Sequence, residues 1–260
     1  MTSAHLPTAV ILTALEGEYV AVIDHLNRPL EELERDGTVY ESGYFSGVRG
    51  TWRVVLAQTG QGNVSAALHA DRAITAFRPH AILFVGVAGG LRDVRRGDVV
   101  AADCVYGYEE EKSAARSTSR IKTVASSYQL VQRARAVARR GMWTARLHTP
   151  CLVTPKAFVA PIAAGEKIVA TRRGAAYALL RKHCGDALAV EKEGHGFLAA
   201  MQTNSATLAM IVRGVSDLLS DKSATDDSVW QPMAARHAAA FAFELLDGLG
   251  RPHHQPVAYA

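Results

Sequence analysis

The chain has 260 residues, of which 48% are hydrophobic and 21% charged, and its formal net charge is +4. That length buries roughly 70–75% of the unfolded surface, enough for one large α/β domain or two small ones. The positive charge is small and scattered, which argues against nucleic acid as a partner.

Cys104, Cys151 and Cys184 lie far apart and form no CxxC pair or Cys/His zinc spacing. A reduced, cytoplasmic chain without a metal site is expected. No apolar run reaches the roughly 20 residues of a bilayer span, and the first residues lack the regions of a signal peptide, so no membrane partner is expected.

In chain order, residues 8–14 form a buried apolar strand. Residues 16–26 follow as a helix with Tyr19, Ile23 and Leu26 on one face. Residues 38–46 and 51–58 are strands joined by a hairpin turn over 47–50. Asn63 is placed to cap a helix through residue 77, which Pro79 stops. The continuous apolar run 81–87 suits a strand covered on both faces, and 98–106 is another strand. Residues 109–122 mix Glu, Ser, Arg and Lys and read as a mobile loop. Residues 128–140 form a helix with Leu130, Val131, Ala134 and Val137 inward and Arg133, Arg139 and Arg140 outward. Further strands are expected at 145–153, 187–190 and 206–212, and helices at 172–183, 193–203 and 232–246. The alternation describes a single α/β domain over residues 1–247, a mixed central sheet flanked by helices, with 248–260 as a flexible tail.

Chemistry-bearing residues gather at the strand ends. Met210-Ile211-Val212 runs into Arg213-Gly214-Val215-Ser216-Asp217, which puts a carboxylate at the carboxyl end of a strand, where open α/β sheets bind ligands. Ala14-Leu15-Glu16-Gly17-Glu18 follows the first strand. Val85-Gly86-Val87-Ala88-Gly89-Gly90 closes a central strand, and Val190-Glu191-Lys192-Glu193-Gly194 closes another. Thr59-Gly60-Gln61-Gly62-Asn63 joins a strand to a helix, where glycine admits a close ligand and the helix start offers free N–H groups. Taken singly, each has an ordinary structural explanation. The glycines make tight turns, Glu18 faces solvent, Glu193 answers a helix dipole, Asp217 caps a helix and Phe158 fills the core. No segment matches GxGxxG or a Walker loop.

In this order and spacing the motifs resemble the nucleoside phosphorylase and nucleosidase superfamily over about residues 8–246, most nearly its methylthioadenosine/S-adenosylhomocysteine nucleosidases. Gly194-His195-Gly196-Phe197, Asp221-Lys222-Ser223 and Trp230-Gln231-Pro232 are similar to nucleosidase domains of bacterial and fungal defence proteins. The resemblance implies a nucleoside phosphorylase-like fold and cleavage of a purine N-glycosidic bond in a nucleoside or nucleotide. It implies no cofactor, a small-molecule purine as the partner, and a homo-oligomer, either dimer or hexamer. It also implies roles. Asp217 protonates the leaving base, Glu18 activates water, and Arg213 orients a carboxylate or the water. Glu193 grips the ribose hydroxyls, two acceptor oxygens for two O–H donors. Phe158 stacks on the base and the backbone near Val153 reads its edge, while Gly60, Ala88, Gly89, Ser216, Lys192 and Trp230 complete the substrate pocket.

The chain departs from the family pattern in two places. Lys192 stands where the family usually has Met beneath the ribose. With Lys222, Lys112, Arg116, Arg120 and Lys122 it points to a polar, phosphorylated 5′ group, whereas Trp230 offers an apolar wall suited to a methylthio group. The arginines that hold phosphate in phosphorylases are replaced by Thr59-Gly60-Gln61-Gly62 and Phe84-Val85-Gly86, which favours water as nucleophile. Phosphorolysis, and a catalytically weak nucleotide-binding or sensor module, are the alternatives.

Overall fold

The first strand, β1 (Thr8–Thr13), is apolar along its length and lies inside the sheet, covered on both faces. The computed structural model describes residues 6–109, 111–112, 118–119, 121–147, 154–167, 174–219 and 226–250. After β1 come α1 (Glu16–Ile23), β2 (Asn27–Arg35), β3 (Thr38–Gly47), β4 (Gly50–Gln58) and α2 (Asn63–Phe77). Next are β5 (Ala81–Gly90), β6 (Val99–Gly107), the short pair β7 (Glu111–Lys112) and β8 (Thr118–Ser119), β9 (Lys122–Ala125) and α3 (Tyr128–Arg140). The described chain closes with β10 (Ala157–Ala164), α4 (Ala175–His183), β11 (Ala189–Glu191), α5 (Gly194–Met201), β12 (Leu208–Leu218) and α6 (Gln231–Leu249).

The main sheet has the order β11-β10-β6-β12-β5-β1-β4-β3-β2, with β9 also paired to β6. Strands β4, β1, β5 and β12 run parallel, as do β6, β10 and β11, and the two sets meet antiparallel at β12 and β6. β11 also pairs antiparallel with the end of β5, through Ala189 opposite Gly90 and Val190 opposite Gly89. Strands β5, β12, β6, β10 and β11 therefore close on themselves, and this closure carries the ends of β5, β11 and β12 to one place. Helices cover both faces. α6 packs Phe241, Phe243 and Leu245 with Trp143 on one side, and α2 and α5 pack Ala66, Ala70, Phe197 and Leu198 on the other. This is the single mixed-sheet α/β domain expected from the sequence.

Several local expectations change. β2 was not foreseen: its Asn-Arg-Pro-Leu-Glu-Glu-Leu-Glu-Arg sequence is polar and mostly exposed, because it is the edge strand of a ribbon. The strand expected at 145–153 is not formed where it is described, since Met142–Arg146 is a 3₁₀ turn, and 148–153 lie outside the described residues. The strand is β10 instead. Pro161 sits in it at the register shift between Ala160 and Ile162, where a residue lacking an N–H is tolerated. Asn63 is the first helical residue rather than the cap, which is Gly62. In the segment read as a loop, β7, β8 and the start of β9 are strands; residues 110, 113–117 and 120 lie outside the described residues. α6 extends to Leu249, past the expected boundary, and 251–260 lie outside the described residues.

Candidate active site

The strand ends line one open cleft, with Ala14, Leu15, Val87, Gly89 and Val190 among its walls. Glu18 reaches it from the first turn of α1. Its Oε2 accepts from the backbone N–H groups of Ala14 (2.8 Å) and Leu15 (2.9 Å), and its Oε1 from that of Val87 (2.8 Å). Leu15 is the helix cap, so the carboxylate satisfies a helix-end donor while bridging β1 to β5. Burial pushes the Glu18 carboxyl above its ordinary range, against the pull of Arg213 and the three N–H donors.

Arg213 lies beneath the cleft with 0% exposure. Its guanidinium is 4.6 Å from the Phe84 ring centroid. Nη2 donates to Glu191 Oε2 at 2.6 Å and to Glu193 Oε2 at 3.3 Å. Its Nε and Nη1 have no hydrogen-bond partner among the described residues. Gly86 makes the arrangement possible: a Cβ there would strike both Arg213 Nη1 and Glu18 Oε1. The glycine lets cation and carboxylate approach across the strand.

Glu191 received no role from the sequence, and the structure gives it one. Its carboxylate accepts from the N–H groups of Glu193 (3.1 Å) and Gly194 (2.9 Å) as well as from Arg213. It fixes the turn that aims Glu193, and it holds the guanidinium. The signal available was its place in Val-Glu-Lys-Glu-Gly, at the end of a strand and two positions from Glu193.

Glu193 Oε1 accepts from the N–H of Gly62 at 2.9 Å. Gly62 has φ 100°, in the left-handed region where glycine is favoured, so the turn that points this N–H at Glu193 is a glycine turn. Burial first, and then the Glu191 charge, push the Glu193 carboxyl from 4.5 up to about 7, opposed by Arg213 and Gly62. The folded chain holds this proton more tightly than the unfolded chain. The resulting stability is complete below about 4.5 and is lost as pH rises through about 7, a change on the order of 3 kcal/mol. Unfolding of wild type and Glu193→Gln in urea across pH 4–8 is expected to show this fall in wild type and a flatter curve in the variant. Parallel curves would mean that Glu193 is not the group.

Asp217 lies inside β12, not at a helix cap, and is 7% exposed. The pairing of β12 with β5 shifts register between Val215 and Asp217, a bulge of the kind that re-aims a side chain. Ser216, the inserted residue, donates its hydroxyl to Asp217 Oδ1 at 2.9 Å. At the rim, Lys192 Nζ donates to Gln61 Oε1 at 2.9 Å.

Of the residues singled out from sequence, Glu18, Ala88, Gly89, Lys192, Glu193, Ser216 and Asp217 line this cleft, with Arg213 under them. Gly60, at φ 75°, shapes the turn while its neighbour Gln61 supplies the wall. Phe158 lies elsewhere. It pairs with Val100 at the start of β10 and lines a separate cleft with Asp98 and Lys156. Trp230 also lies apart: it packs near Gly97, and the neighbouring Gln231 lines the cleft in its stead. Val153 and Lys222 lie outside the described residues. Lys167, which follows β10, lines the cleft and was not foreseen.

Residues 8–247 match the model of the phosphorylase superfamily. The chain belongs to that superfamily. A 5′-methylthioadenosine/S-adenosylhomocysteine nucleosidase from Desulfotalea psychrophila is 24% identical over 242 residues, spanning 92% of this chain and 97% of the relative. One from Geobacillus thermodenitrificans is 25% identical over 244 residues, spanning 92% and 95%. Among solved structures, the 5′-methylthioadenosine/S-adenosylhomocysteine nucleosidase of Colwellia psychrerythraea in complex with adenine superposes with a TM-score of 0.79 at 22% identity, covering 95% of this chain and 98% of that one. The futalosine hydrolase of Helicobacter pylori gives 0.76 at 21%, covering 93% and 98%.

Proposed function

We propose that this superfamily member is a hydrolytic purine N-ribosidase, an enzyme that cleaves the N-glycosidic bond of an adenine nucleoside or nucleotide with water. The observation that carries this reading is the meeting of three buried carboxylates, Glu18, Glu193 and Asp217, around one cleft. The relatives named as nucleosidases support the same chemistry.

A purine anion is a poor leaving group, so protonation of the base at N7 by Asp217 lets it depart neutral. As the C1′–N9 bond breaks, positive charge develops on the ribose. Water attacks C1′ and gives its proton to Glu18, whose carboxyl is pushed upward by burial and held in place by the N–H groups of Ala14, Leu15 and Val87. Glu193 accepts hydrogen bonds from the ribose hydroxyls. The products are free base and ribose, or ribose phosphate.

Water is favoured over phosphate by the charge around Glu18. An anionic nucleophile there would meet Glu18, Glu191 and Glu193, and Arg213 beneath them is already committed to Glu191 and Glu193. Turnover in phosphate-free buffer is expected to equal turnover with phosphate present, and NMR of the sugar product to show a free 1-hydroxyl. Ribose 1-phosphate as the main product would establish phosphorolysis in its place.

A further inference from the structure

The floor of the cleft is acidic, and its rim carries two lysines, with the Glu109 and Glu166 carboxylates close to Lys167 and Gly62. Lys192 and Lys167 both line it. Along the turn after β11 the side chains alternate. Glu191 and Glu193 turn inward onto Arg213, Gly62 and the turn's own N–H groups, and Lys192 between them turns out to the mouth. Neither lysine forms an ion pair with a carboxylate among the described residues. The Lys192 ammonium instead donates to a neutral amide, Gln61 Oε1, at 2.9 Å. Gln61 directly precedes Gly62, whose N–H holds Glu193, so the Lys192–Gln61 contact spans the mouth beside the ribose-binding acid. Lys167 is brought to the same wall by its backbone: the N–H groups of Glu166 and Lys167 donate to the Glu109 carboxylate at 2.8 and 3.2 Å.

An ammonium whose partner is an uncharged amide has a stronger bond available to it. A charge-assisted contact with a phosphate exchanges the amide for an anion at little structural cost. With the base at Asp217 and the ribose hydroxyls at Glu193, the residue next to Glu193 is in reach of the 5′ carbon. We propose that Lys192, assisted by Lys167, recognises a phosphate on the 5′ carbon, with Gln61 as the partner that Lys192 releases on binding. The preferred substrate class is then a 5′-phosphorylated adenine nucleoside rather than a 5′-thioether nucleoside. This rests on the N-ribosidase reading above.

The test uses the full chain carrying Asp217→Asn, in which turnover is slowed enough for binding to be read first. Calorimetry compares AMP, adenosine and methylthioadenosine at low and high salt. AMP is expected to bind about 10- to 150-fold more tightly than either uncharged nucleoside at low salt, the worth of one charge-assisted contact. The ratio should shrink as salt screens the rim, and it should collapse when Lys192→Met is added, with a smaller loss for Lys167→Met. Methylthioadenosine or adenosine binding as tightly as AMP at low salt would overturn the proposal. So would an AMP preference that survives both lysine changes. Adenine release by the wild-type chain is followed separately. If none of the three ligands yields adenine, the N-ribosidase reading falls, and the binding ratios still decide the rim.

Discussion

Replacement of Asp217 by Asn is expected to lower kcat by about 10²–10⁴-fold, the usual worth of a positioned general acid, with thermal unfolding unchanged. The size follows from the leaving group. Without a proton at N7 the purine must depart as an anion, and the neighbouring Ser216 hydroxyl already donates to Asp217 Oδ1. The specificity follows from shape. Asn is isosteric, retains an oxygen to accept the Ser216 hydroxyl, and occupies the same bulged position in β12. A fall in turnover therefore reports the missing proton, not a rebuilt cleft. Adenine release from the best substrate, followed beside a melting curve, measures both. Turnover equal to wild type would remove Asp217 from the mechanism and leave Ser216 and Asp217 as a device for shaping the bulge.

The site was legible where chemistry coincides with strand ends, because a buried apolar run that stops at a carboxylate marks both the strand and the place where it surfaces. Glu18, Glu193 and Asp217 are of that kind, and they surround one cleft. The parts that were not legible depend on pairing between distant segments. β11 has three residues and finds its place by pairing with Gly89 and Gly90, a contact through backbone that leaves no pattern in either sequence. β10 hides behind Pro161, which reads as a break until the bulge that accommodates it is seen. β2 is charged because it is an edge, and charge in a short segment is the same signal that marks a loop. Glu191 is a different case. Its residue type and spacing were visible, but only the fold shows that its oxygens are used up by Arg213 and the turn N–H groups, which makes it a positioning residue for Glu193. Phe158 was assigned from the resemblance alone, but it stands at the start of β10 and lines a separate cleft.

Glu18 and Glu193 share a buried cation and yet should fail in different ways when altered. Glu18 is bound to the frame by three backbone N–H groups from two strand ends, so its position is fixed before any ligand arrives. Its task is to accept a proton from water, and that charge transfer develops only in the transition state. Glu18→Gln is expected to lower kcat by about 10²–10⁴-fold while the affinity for an inert ground-state nucleoside analogue changes little. Glu193 has one oxygen on Gly62 and the other shared with Arg213, and it meets the sugar directly. Glu193→Gln removes the charge that two ribose hydroxyls bond to, so it is expected to weaken the analogue and to lower kcat together, because sugar contacts that strengthen as charge develops at C1′ are lost in both states to different degrees. The comparison needs kcat by base release and analogue affinity by calorimetry for both variants at one pH above 7, where wild-type Glu193 is ionised. Loss of analogue affinity in Glu18→Gln equal to that in Glu193→Gln would sink the division of labour. The two glutamates would then act as a single anionic floor, with no separate carboxylate set aside for the water.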